Sequence, residues 1–306
     1  MSHHQKMDQA QGLRSKMGNN PQSSLSSTPL EWPKPPVAAQ GVRVIAISSG
    51  KGGVGKTSVV VNLALALDRL GKRVLILDAD LGLANIDILL GLAPKYNISH
   101  VLNGSKRLED VLVNGPGRIR VMPASSGVQE LTKLTDEQKL IFLELLDGLE
   151  TEIDILLIDI AAGISDTVVY FNLAAQEKII LVTPEPTSLT DAYALIKILY
   201  TRHNERHFKI LTNAVKDDAA GKAIFAKICR VTDHFLDGLS LDYLGAVPHD
   251  PCMSKAVIQQ RPLLELFPHS PAAKAFATLA GQLQKASSSH LNHGNIQFFW
   301  KRLLHV

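Results

Sequence analysis

The chain has 306 residues, 45% of them apolar, and a formal net charge of +3. That is enough apolar material for one large α/β domain with extensions or for two small domains, and the charge alone decides neither for nor against a polyanionic partner. Its two cysteines, Cys229 and Cys252, lack a CxxC spacing or a neighbouring His pair, which argues against a disulfide, a metal site or a cluster and predicts buried thiols in a reducing cytoplasm.

Residues 1–40 are polar and rich in Ser, Gln and Pro, and predict a disordered tether. Within it Asp8-Gln9-Ala10-Gln11-Gly12-Leu13-Arg14 reads, by itself, as solvated chain. A β-branched run over 42–47 then leads into Ser48-Ser49-Gly50-Lys51-Gly52-Gly53-Val54-Gly55-Lys56-Thr57-Ser58, followed by a helical pattern that stops at Gly71. Strand, Gly-rich turn and helix are the setting of a phosphate-binding loop. Backbone N–H groups of Gly50 to Gly55 and the helix N-terminus cradle phosphate. Lys56 reaches the β- and γ-phosphates, and the Thr57 hydroxyl takes a place on Mg²⁺. Lys51 is a second lysine inside the loop, where phosphate charge is already met, so it is expected to serve another charged group.

The next strand, 73–77, ends at Asp78-Ala79-Asp80. Acids at the carboxyl end of a parallel strand face the same crevice as the loop. Asp80 is assigned to positioning the attacking water and Asp78 to support near Mg²⁺; the alternative for each is a helix-capping aspartate. A strand at 118–122 and a helix from about 135 to 148 look architectural. The run 153–159 is a buried parallel strand ending in Asp159, placed to hold Mg²⁺, with Ala161-Ala162-Gly163 as a switch loop after it.

A strand over 178–183 enters Pro184-Glu185-Pro186-Thr187-Ser188-Leu189-Thr190, where the prolines set a rigid turn and the hydroxyls offer caps. Asn213, ending the strand 208–213, and Pro248 with Asp250, ending the next, are placed to flank the adenine base. No apolar run reaches the ~20 residues of a spanning helix, and no signal peptide opens the chain. After a Ser-rich spacer, however, Ile296, Phe299, Trp300, Leu303 and Leu304 share one helical face with Lys301 and Arg302 opposite. That pattern suits a surface of anionic lipid, or a helix docked on protein. The resulting plan is a tether over 1–40, a nucleotide-binding domain over 41–285 and a spacer with an amphipathic helix over 286–306.

The Lys-Gly-Gly-x-Gly-Lys-Thr loop resembles the deviant P-loop of the MinD/ParA class of ATPases, and residues 42–284 look like that class throughout. Within it the chain resembles the FlhG subfamily, also named FleN or YlxH, which regulates bacterial flagellar number and placement. Three segments carry this: 183–197; Gln259-Gln260-Arg261-Pro262 with Phe267-Pro268-His269-Ser270-Pro271; and 8–14, which matches the subfamily's activator motif. The resemblance implies an α/β fold with a mostly parallel twisted sheet covered by helices on both faces. It also implies Mg²⁺-dependent conversion of ATP to ADP through Lys51, Lys56 and Asp80, and an ATP-dependent homodimer in which Lys51 crosses to the partner's nucleotide. It implies cycling between the cytoplasm and the inner face of the cytoplasmic membrane on the tail helix. Implied partners are the GTPase FlhF, engaged through Asp8, Gln9, Ala10, Leu13 and Arg14, flagellar switch-ring proteins and, in polar flagellates, a master flagellar transcription activator. A MinD-type division ATPase would share core and tail but not the N-terminal motif. A ParA-type partition ATPase would call for a dense Lys/Arg cluster on DNA, and the chain shows none.

Overall fold

Short runs of Val, Ile and Leu that are apolar on both sides form strands only where helices cover both faces of the sheet. The computed structural model describes residues 41–80, 85–123, 149 and 152–287. The segment 8–14 expected to act as an activator motif, the helix expected over 135–148 and the tail positions 296–304 lie outside the described residues.

The described elements run β1 (Arg43–Ser49), α1 (Lys56–Arg69), β2 (Val74–Ala79), α2 (Ile86–Leu90), α3 (Ile98–Leu102), α4 (Leu108–Val111), β3 (Val113–Asn114) and β4 (Arg120–Met122). Then come β5 (Ile155–Ala162), α5 (Asp166–Ala174), β6 (Glu177–Val182), α6 (Pro186–His203), β7 (His207–Val215) and α7 (Asp218–Phe235). The last are β8 (Ser240–Pro248), α8 (Pro251–Ile258), α9 (Leu263–Leu266) and α10 (Pro271–Ser287). One eight-stranded sheet has the order β3-β4-β2-β5-β1-β6-β7-β8. Every pair is parallel except β3 with β4. This is the mostly parallel α/β architecture expected, with the two-residue antiparallel β3 added at an edge.

Alternation along β1 divides its side chains between two layers. Ile45 and Ile47 join Leu63 and Leu67 of α1 and Phe276 and Leu279 of α10 in one core. On the opposite face β1 packs against α5 and α6. β1 lies between β5 and β6: the connection out of β1 runs to β2 on the β5 side, and the connection out of β5 crosses to β6 on the other side. The crevice at the carboxyl ends of such a switch point is where α/β sheets bind ligands. At the other end of the sheet, Arg43 Nη2 pairs with Glu177 at 2.6 Å while its Nη1 donates to the Leu283 carbonyl at 2.7 Å, fastening α10 to the start of β1.

Two local expectations are corrected. Both cysteines are half-buried, because α7 and α8 each turn one partly wet face outward. And α6 begins at Pro186 rather than at a hydroxyl cap: Glu185 is its N-cap residue with no side-chain cap, Pro occupies N1 where no N–H is needed, and the Ser188 hydroxyl accepts from the Thr183 N–H at 3.0 Å.

Candidate active site

The loop leaves β1 at two buried serines. Ser49 Oγ donates to the Lys51 carbonyl at 2.8 Å, which starts the curl. Gly53 (φ 76°) and Gly55 (φ 89°) are left-handed, a conformation open to glycine at little cost, and Gly55 hands the chain into α1 with no side-chain cap. The first N–H groups of α1 are therefore left for an anion. Val54 is buried in the core and Lys56 is buried at the helix start, while Gly52 and Gly53 are exposed at the loop crest. Thr57 and Ser58, half-buried, follow on the first turn.

Asp78 and Asp159 stand side by side in the β2–β5 register. Both are almost completely buried, at 3% and 2% exposure. Burial pushes Asp159 up to about 7 against the opposing pull of the Thr57 hydroxyl; Asp78 and Asp80 push it up as well, and Lys56 pulls it down. Asp159 Oδ1 has no hydrogen-bond partner. A buried carboxylate oxygen left unpaired beside a threonine hydroxyl fits a divalent cation. Mg²⁺ takes one or two carboxylates and draws its other ligands from phosphate and water. Thr57 and Asp159 would hold it.

Asp78 is spent differently. Its Oδ1 accepts from the Asp80 N–H at 3.1 Å, and its Oδ2 accepts from Asn85 and Ile86 at 3.2 and 3.3 Å. Burial raises it to about 6 despite these bonds. It thus holds the backbone of Asp80, which is half-buried, and that of Asn85 and Ile86.

The residues expected at the base divide. Asn213 Nδ2 donates to the Val54 carbonyl at 2.8 Å, bracing the loop from β7, and Pro248 closes β8 opposite Val215. Asp250 serves the fold as well. It is buried, its Oδ1 accepts from Cys252 N–H at 2.9 Å and its Oδ2 from Ala272 N–H at 3.1 Å, so it caps α8 and ties down the start of α10. Asp250→Ala is expected to cost about 2 kcal/mol and lower Tm by roughly 5 °C. Nucleotide affinity should stay within about twofold; a fall in affinity at unchanged Tm would return Asp250 to the base.

Lys51 meets two residues that sequence reasoning passed over for this role. Its Nζ ion-pairs with Glu185, and lies 3.0 Å from Thr187 Oγ1. Both belong to the head of α6, more than a hundred residues along the chain, and nothing local signals the contact.

A family model for ParA, described as an iron-transfer P-loop NTPase of the NUBPL type, matches residues 41–284. The chain belongs to the ParA/MinD family. Antiactivator FleN of Pseudomonas aeruginosa is 47% identical over 86% of this chain and 94% of its own. Flagellum site-determining protein YlxH of Helicobacter pylori is 31% identical over 86% of this chain and 90% of its own. The septum site-determining protein MinD of Pyrococcus horikoshii, solved in complex with Mg-ADP, superposes with a TM-score of 0.62 at 26% identity, covering 81% of this chain and 98% of that one. This ParA/MinD protein is thus a P-loop ATPase, and the Mg²⁺-nucleotide its loop calls for is what that neighbour holds.

Proposed function

We propose that this protein is a regulator of flagellar number and placement that works as an ATP-timed, membrane-cycling dimer. The observation that carries the flagellar reading is the 47% identity to FleN across nearly both chains, joined by a second flagellar relative, YlxH. The loop geometry supports the timing. Lys51 sits on the loop flank, held in the single chain by Glu185 and Thr187, so its move to a second copy's nucleotide means opening that pair. An exposed pair of this kind contributes at most about 1 kcal/mol and is easily exchanged for a phosphate. Asp80 then positions water, with Lys56, Thr57 and Asp159 around the phosphates and Mg²⁺ and Asn213 and Pro248 toward the base. Two tail helices presented together would hold anionic lipid far better than one. Hydrolysis returns single chains to the cytoplasm.

The same reading assigns 8–14 to FlhF, and switch-ring proteins and a flagellar transcription activator to the folded domain. Among the described residues no helix is long and apolar enough to cross a membrane. The same reading assigns membrane attachment to the tail. The test is co-sedimentation with anionic liposomes in ATP against ADP, for the intact protein, a chain ending at Ala286 and Lys51→Ala. Only the intact protein in ATP should pellet. Equal pelleting of the shorter chain would remove the tail from the cycle, and ATP-driven pairing by Lys51→Ala would remove the shared lysine. Capture of FlhF through residues 8–14 separates this reading from a MinD-type division ATPase.

A further inference from the structure

One buried polar pair is used by none of the chemistry above. Ser48, the penultimate residue of β1, and Asn172, on α5, are both fully buried. Ser48 Oγ donates to Asn172 Oδ1 at 3.0 Å, and Asn172 Nδ2 donates to the Val168 carbonyl one turn back at 2.8 Å. The other α5 side chains turned inward are Val168, Val169, Phe171 and Ala174. An apolar pair would seal the same contact. A hydrogen bond adds direction, and fixes how far α5 slides along the strand where van der Waals contact alone would leave latitude.

What it fixes matters because of where the two elements lead. β1 runs into the phosphate loop, and α5 begins directly after the switch loop at Gly163. Gly163 (φ 101°) donates its N–H to the Ser49 carbonyl at 2.9 Å. The stretch from Gly163 to Asn172 is therefore pinned at both ends to adjacent residues of β1, once by backbone and once by side chain. We propose that Ser48 and Asn172 are a positioning pair for ATP hydrolysis, holding the switch loop in register with the phosphate loop. Nucleotide is gripped through its inner phosphates by the loop itself, so the pair acts on the step at the terminal phosphate and leaves ADP binding alone.

The test compares Ser48→Ala, Asn172→Leu and the double variant by thermal melting, ADP affinity and single-turnover hydrolysis. Ser48→Ala strands the buried Asn172 carbonyl and should melt lower; removing both partners should bring Tm back toward the native value. ADP affinity should stay within about twofold, while hydrolysis falls about tenfold or more in all three, the double being no slower than the worse single. The decisive arm is the double variant. Native Tm with native hydrolysis rate would reduce the pair to packing, and so would a loss of ADP affinity in step with the rate. If Ser48→Ala does not fold, Asn172→Leu and the double variant carry the same comparison.

Discussion

Asp159→Asn is expected to cut Mg²⁺-dependent ATP hydrolysis by about three orders of magnitude, the scale on which a cation stabilises charge spreading over a transferring phosphoryl group. The same change should make the ligand-free protein more stable. Asp159 is raised from 3.8 to about 7, so the folded state favours the protonated form. The stability this contributes is fully present below about pH 4 and is lost as pH rises through 7, on the order of 4 kcal/mol. An asparagine does not titrate. Without Mg²⁺, melting of the native protein should fall from pH 5 to 7.5, and the variant should fall less and melt higher at pH 7.5. A residual slope remains in the variant, because Asp78 is also raised, to about 6. Mg²⁺-ADP should reverse the order by stabilising the native protein more than the variant, which keeps only the grip of the loop on ADP. A variant that melts below the native protein at pH 7.5 without Mg²⁺, and gains as much as the native protein from Mg²⁺-ADP, would mean that the unpaired Oδ1 is not where the cation sits.

Asp159 was legible because a run of Ile and Leu ending in an acid has one common meaning in a parallel sheet. The loop was legible for a similar reason, its glycines and lysines falling between a strand and a helix. Asp250 carries a second signal. Asp250-Pro251 is an N-cap followed by proline at N1, a helix-start signature. Its second contact, Ala272 N–H, lies 22 residues on and leaves no local trace. Lys51 with Glu185 and Ser48 with Asn172 are 134 and 124 residues apart. Such pairs are products of the strand order, which places β6 and α5 against β1, and strand order is not written in any one segment. The two-residue β3 is too short for a period to register.

Gly50→Ala should abolish nucleotide binding and lower Tm by about 10 °C, and the reason is packing rather than dihedral freedom. A Cβ on Gly50 would lie 2.1 Å from the backbone C and O of Asp191 and 2.7 Å from the Ala192 nitrogen. Those atoms belong to the second turn of α6 and cannot rotate aside, so either the helix or the loop must shift. Overpacking against backbone at that distance costs about 3 kcal/mol. Displacing α6 would also draw Glu185 and Thr187 away from Lys51, since all three contacts sit on the same helix head. Gly52→Ala is the control: a Cβ there meets nothing within 4 Å, and the fold should be indifferent to it. The contrast gives the segment 183–197 a physical duty. It is the wall against which the phosphate loop is shaped, so substitutions that bend α6 near Asp191 should act on nucleotide binding from outside the loop. Native affinity and Tm in Gly50→Ala would show that loop and helix do not share this close contact.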